Sequence, residues 1–142
     1  MGLDAGVYKN LRDVSDAMRE QVRLDNPETG EINYKDSPDG TPDRVNLYAA
    51  RFRIGNLSMV VDLRGEVGDR LGEKCLLMEA VLYHFSHSGD FIPLGQIDEL
   101  EREIKVIESG PKPLHPYLQE FLNKMTALID AARREQNPIV FV

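Results

Sequence analysis

Leu76–Ile107 reads LLMEAVLYHFSHSGDFIPLGQIDELEREIKVI, and the reading of its opening run decides what kind of fold surrounds it. The run is almost uncharged, broken only by Glu79, and it ends in the polar loop SHSGD. After the loop, Ile97, Leu100, Ile104 and Ile107 recur at three- and four-residue spacing, the mark of a short amphipathic helix. Cys75–Phe85 carries two signals. Met78, Glu79 and Ala80 favour a helix, while Val81, Leu82, Tyr83 and Phe85 suit a buried strand. We read a strand ending near Phe85. The loop then hangs between two buried elements, a position where binding groups concentrate. It presents His84 and His87 beside Gly89 and Asp90.

Outward from this stretch the patterns alternate between two periods. Leu3, Ala5 and Val7 interleave with Asp4, Gly6 and Tyr8, the two-residue period of a strand. Leu11, Val14, Met18 and Val22 space out as one helical stripe, closed by Asp25-Asn26-Pro27, where proline disfavours helix at the preceding residue. Residues 25–44 contain Pro27, Pro38, Pro42, Gly30 and Gly40, which predicts a mobile loop with a short strand at Glu31–Tyr34 inside it. Val45–Ile54 reads as a strand with Tyr48, Ala50, Phe52 and Ile54 on one face and Arg51 and Arg53 on the other. Leu57, Val60, Val61, Arg64, Val67 and Leu71 predict a helix whose Gly65 and Gly68 point either to close packing against a neighbour or to a frayed end near Gly72. Gly110 ends the helix that closes the opening stretch. The last helix starts at Pro116 and stops at Asn137-Pro138, leaving Ile139–Val142 as a strand or an apolar tail. The order predicts a single α+β domain over residues 1–142, a small, mostly antiparallel sheet with about four helices on it.

Composition narrows the function classes. A hydrophobic fraction of 42% over 142 residues is enough for one core without disulfides or a structural metal. The 24 acidic against 17 basic residues give a net charge of −7, with the basic residues interleaved among acids, which argues against nucleic acid as a partner. Such a field suits a basic protein partner, and it is also an ordinary route to solubility. The single cysteine, Cys75, has no disulfide mate and no CxxC partner, which points to a reducing compartment and an idle thiol. No apolar run approaches the roughly 18 residues of a membrane span and no charged-then-apolar signal opens the chain, so the expectation is a cytoplasmic protein. MGLDAG starts like a myristoylation site but sets Gly6 where Ser or Thr is wanted.

The residues that carry chemistry sit mostly in the loop. His84 and His87 form an HxxH pair that, with His115 or Asp90, offers three nitrogen or oxygen ligands to zinc, although no HExxH motif or Cys ligand accompanies it. A small hydrolase or metal-dependent enzyme built on His84, His87 and Asp90 is the alternative reading. Ser86, His87, Ser88 and Asp90 are the residue types of a catalytic triad but lie too close in sequence to form one alone. Gly65 and Gly68 fall inside a helical stripe and make no phosphate loop. The favoured reading has no catalytic residue and no cofactor. In it, His87, Ser88, Asp90 and Phe91 contact a protein partner, Asp90 through a charge pair and Phe91 as an apolar anchor. A purely structural turn, with Ser88 and Asp90 bonded to backbone and Gly89 at positive φ, uses the same residues.

The opening MGLDAGVY, the turn His87, Ser88, Gly89, Asp90, Phe91 and the helix Ile97–Ile107 together resemble small α+β immunity proteins of bacterial polymorphic toxin systems. In that group a strand ends in a His-Ser-acidic-Gly turn, followed by an aromatic residue and a Leu- and Glu-rich helix. The resemblance implies a cytoplasmic protein that binds and neutralises a cognate toxin, with a basic toxin domain as partner and no chemistry of its own.

Overall fold

The structure, a computed structural model, describes residues 2–35 and 47–142. In chain order the elements are strand β1 (Gly2–Tyr8), helix α1 (Asp16–Arg19), strands β2 (Val22–Asn26), β3 (Glu31–Tyr34) and β4 (Tyr48–Asn56), and helix α2 (Leu57–Leu71). Then come β5 (Phe91–Ile92), α3 (Ile97–Ser109), α4 (Pro116–Glu135) and β6 (Ile139–Phe141). The architecture is α+β. One antiparallel sheet has the order β4-β1-β6-β5, and β2 and β3 form a separate hairpin.

Alternation along β1 sorts its residues onto two differently covered faces. Leu3, Ala5 and Val7 join Ile54, Ile139 and Phe141 in the main core, against α2, α3 and α4. On the other face Tyr8 joins Tyr48 and Val140 in a second cluster closed by Val22 and Ile32 of the hairpin. Both faces of this strand are therefore covered, which is why Gly6 and Tyr8 are buried as well as Ala5 and Val7. A register step between Val7↔Ala50 and Tyr8↔Tyr48 makes Ala49 an extra residue. Such a bulge shifts which side chains share a face, so Tyr48 leaves the face of Phe52 and Ile54 expected from simple alternation and joins that of Arg51.

The helices of the second half follow their sequence patterns. In α3, Ile97, Leu100, Ile104 and Ile107 are buried. In α4, with proline in its first turn, an apolar face from Leu118 to Ala132 fills the space beneath the sheet. Burying a large apolar side chain contributes roughly 1.5–3 kcal/mol, so α4 is a main stabiliser of the domain. α2 has the predicted span, and Val60, Val67 and Leu71 of the expected stripe face the core, but Leu63 joins them while Leu57, Val61 and Arg64 are exposed. Gly65 has open space beside it and Gly68 faces Met78 at ordinary contact distance, so neither marks a tight helix contact. Among the described residues no helix is long and apolar enough to cross a membrane.

Three expectations change. The helix from Leu11 to Val22 is a 3-10 turn at Leu11–Asp13, the single turn α1 and the start of β2. Capping side chains split it: Asn10 accepts from Arg12 N, Ser15 accepts from Met18 N, and Val14 between them is extended. The Arg19 guanidinium then ties the carbonyls of Leu11, Arg12 and Val14. The strand expected over Cys75–Phe85 is one turn of π-helix at Leu77–Val81. Glu103 of α3 accepts from both Leu76 N and Leu77 N, and Arg64 of α2 donates to the Leu82 and Tyr83 carbonyls, so these backbone groups bond to helices and not to a sheet. Finally, residues 25–35 of the expected loop hold most of the hairpin, with Glu31–Tyr34 as the strand anticipated there. Its remainder, 36–44, lies outside the described residues.

Candidate functional site

The turn from His87 to Phe91 is knit to β6. Gly89, at φ 99, donates its N–H to the Phe141 carbonyl at 2.9 Å, and Phe141 donates back to the Asp90 carbonyl at 2.9 Å. Phe91 and Ile92 continue the pairing opposite Val140 and Ile139. Phe91 is half-buried in the second cluster, so it serves the scaffold more than an exposed anchor would. Asp90 is exposed and accepts a hydrogen bond from the Tyr83 hydroxyl. Ser88 is exposed.

His87 is fixed beneath this turn. Its side chain is only 5% exposed, held between the rings of Tyr83 and Phe141 at centroid distances of 4.5 and 4.2 Å. A carbonyl can only accept, so the 2.9 Å contact with Val81 O assigns the proton to Nε2. Burial pushes the imidazole below its ordinary pKa, against the opposing effect of the Val81 carbonyl.

The other histidines lie in separate surroundings. His84 is exposed, stacked on Phe85, with Nδ1 2.8 Å from the Ser86 carbonyl oxygen. His115 precedes α4, stacks on Tyr117 and faces Glu66 of α2 at 3.4 Å. There the Arg70 guanidinium holds the Glu66 carboxyl below its usual range, and burial together with Glu66 raises the Tyr117 hydroxyl. Among the described residues no group of three His, Cys, Asp or Glu side chains is placed to hold a metal. The ligand set His84, His87 and His115 is thereby corrected. His84 is held by Phe85 and Ser86, His87 by Val81, Tyr83 and Phe141, and His115 by Tyr117 and Glu66, so the three rings do not converge. Cys75 is buried, and desolvation raises its thiol pKa, which keeps it in the less reactive form.

The turn also borders an open groove of about 460 Å³. Ser88 and Gly89 line it from the turn, and Asn26, Thr29 and Glu31 from the hairpin. Tyr8, Tyr48, Arg51 and Val140 line the groove from the sheet between them. The hairpin is seated by a specific contact: Gly30, at φ 76, lies under the Asn137 side chain, whose Nδ2 donates to the Tyr8 carbonyl at 2.8 Å. On the sheet, the Tyr8 and Tyr48 rings stack at 4.6 Å with their hydroxyls 3.2 Å apart. Arg51 lies over the Tyr48 ring at 5.1 Å. Gly6 makes this possible, since a Cβ there would meet the Tyr48 ring at 2.9 Å.

Of the four residues expected to meet a partner, the groove takes in Ser88, while His87 lies buried beneath the turn and Asp90 and Phe91 are not among its lining residues. Tyr8, Tyr48, Arg51 and Glu31 are site residues that the sequence patterns did not single out. The one signal was the polar end of the β4 pattern at Arg51 and Arg53. The tyrosines carried none, because a bulge and a distant hairpin put them at the site. No protein-family model matches this chain, and neither a curated protein nor a solved structure matches it.

Proposed function

We propose that the protein is a non-enzymatic binding module of the immunity-protein kind, which occludes a toxin by docking through the face that carries the groove. The observation that carries this reading is the groove itself: a rigid turn and a hairpin hold open an aromatic- and arginine-bearing stretch of sheet. Tyrosine and arginine are enriched among the residues that dominate protein interfaces. The net charge of −7 favours encounter with a basic partner. Against the hydrolase alternative stands the use already made of the histidines, above all His87, whose Nε2 is committed to a backbone carbonyl.

The test starts from gene neighbourhood and affinity capture in the native host. The full chain is immobilised, any specifically retained protein is identified, and its toxicity is assayed with and without a stoichiometric amount of this protein. Neutralisation at a one-to-one ratio is expected. A neighbourhood without a toxin-like reading frame, together with no neutralised capture product, would overturn the reading.

A further inference from the structure

We infer that the groove receives an acidic side chain of the protein partner, and that Arg51 is the residue that pairs with it; this deepens the proposed function and rests on it. Among the described residues, Arg64 is held by two backbone carbonyls and every other arginine but Arg51 by a carboxylate. Among the described residues Arg51 meets the Tyr48 ring, which orients the guanidinium by cation–π attraction, and no described acid takes its hydrogen-bond donors.

The location makes that donor set meaningful. Arg51 is exposed, yet it lines this groove rather than open surface. A partner side chain entering the groove would be partly desolvated, where a charge-assisted pair with a forked guanidinium is stronger than in water. A mostly basic partner would place an acid against Arg51, which fixes docking register as well as affinity.

The closing experiment uses the full, isotope-labelled chain and blocked five-residue peptides, Gly-Glu-Ser-Glu-Gly, its Gln counterpart and its Lys counterpart, with inorganic phosphate as a further probe. The acidic peptide is expected to shift the amide signals of Tyr48, Arg51, Ser88 and Gly89, and to bind roughly tenfold more tightly than the Gln peptide. Arg51→Gln should erase that difference, and Arg51→Lys should restore part of it, with unchanged spectra elsewhere showing that both variants fold. Equal shifts from the acidic and Gln peptides, shifts that survive Arg51→Gln, or phosphate binding as well as the acidic peptide would each overturn the inference. Acid-specific, Arg51-dependent shifts without any neutralised toxin would retire the immunity reading and leave the groove chemistry standing. A neutralised toxin whose affinity ignores Arg51→Gln would do the reverse.

Discussion

His87 donates from Nε2 to the Val81 carbonyl across 2.9 Å, which leaves its unprotonated Nδ1 buried and, among the described residues, without a hydrogen-bond partner, even though Asp90 Oδ2 lies 3.4 Å away. Two acceptors face each other there, and only a second proton on the ring would turn the contact into a bond. Burial opposes that proton and holds the folded-state pKa below the ordinary 6.5. The unfolded chain therefore binds more protons than the folded one as pH falls through that range, so stability is full above about 6.5 and declines below it. Urea unfolding between about pH 7.5 and pH 5.5 should show this decline. His87→Phe should flatten it, and a variant that keeps the same slope would show that other groups cause it. The carboxyls of Glu66 and Glu101, held down by Arg70 and Arg133, lose their stabilising contribution only as pH falls below their ordinary 4.5, so the two windows separate.

Glu103 accepts from Leu76 N at 2.8 Å and from Leu77 N at 2.9 Å, joining α3 to the π-helical turn. Glu103→Ala leaves two backbone donors to find water in a half-buried place. A loss of about 1–3 kcal/mol is expected in equilibrium unfolding. Glu103→Gln, which keeps one acceptor oxygen, should lose less. Equal losses in the two variants would assign the effect to packing and not to these bonds.

Gly6 lies where a Cβ would come within 2.9 Å of the Tyr48 ring and 3.1 Å of the Ala50 carbonyl oxygen. The stacked Tyr8–Tyr48 pair leaves the ring little freedom to move aside. Gly6→Ala should cost about 1–3 kcal/mol, as overpacking does, and displace Tyr48 from under Arg51. Thermal unfolding and the tyrosine near-ultraviolet dichroism would report both, and a variant unchanged in each would show that the groove is more plastic than its packing indicates.

Phe91 and Asp90 separate scaffold from interface. Phe91 is half-buried against the second cluster, so Phe91→Ala should reduce stability by about 1–3 kcal/mol with little change in partner affinity of the folded fraction. Asp90 is exposed and bonded to Tyr83, so Asp90→Ala should move stability by less than about 1 kcal/mol. Side-by-side unfolding and binding measurements check both. A fall in affinity for Phe91→Ala at unchanged stability would return that residue to the docking surface.

What the sequence determined by itself is the part governed by local period and punctuation. β1, α2, α3 and α4 were legible because apolar spacing of two or of three and four extends over enough residues, and because Gly110, Pro116 and Asn137-Pro138 mark the ends. The α+β class followed from their order. Tertiary structure alone decided Cys75–Phe85, where short apolar runs fit helix and strand alike and the choice fell to Glu103 and Arg64, which satisfy its backbone from two other helices. It also decided Leu11–Val22, where side-chain caps at Asn10 and Ser15 outcompeted a stripe too short to sustain a helix. The turn at Ser88 and Gly89 was visible in the sequence as a candidate, but not its setting. Tyr8, Tyr48, Arg51 and Glu31 come from strands far apart in the chain. They meet because one bulge at Ala49 turns Tyr48 to the second face of the sheet and the Gly30–Asn137 contact seats the hairpin over it. In the sequence Tyr48, Ala50, Phe52 and Ile54 read as one unbroken alternation, and only the pairing of β4 with β1 shows the extra residue at Ala49, so the groove exists only in the folded chain.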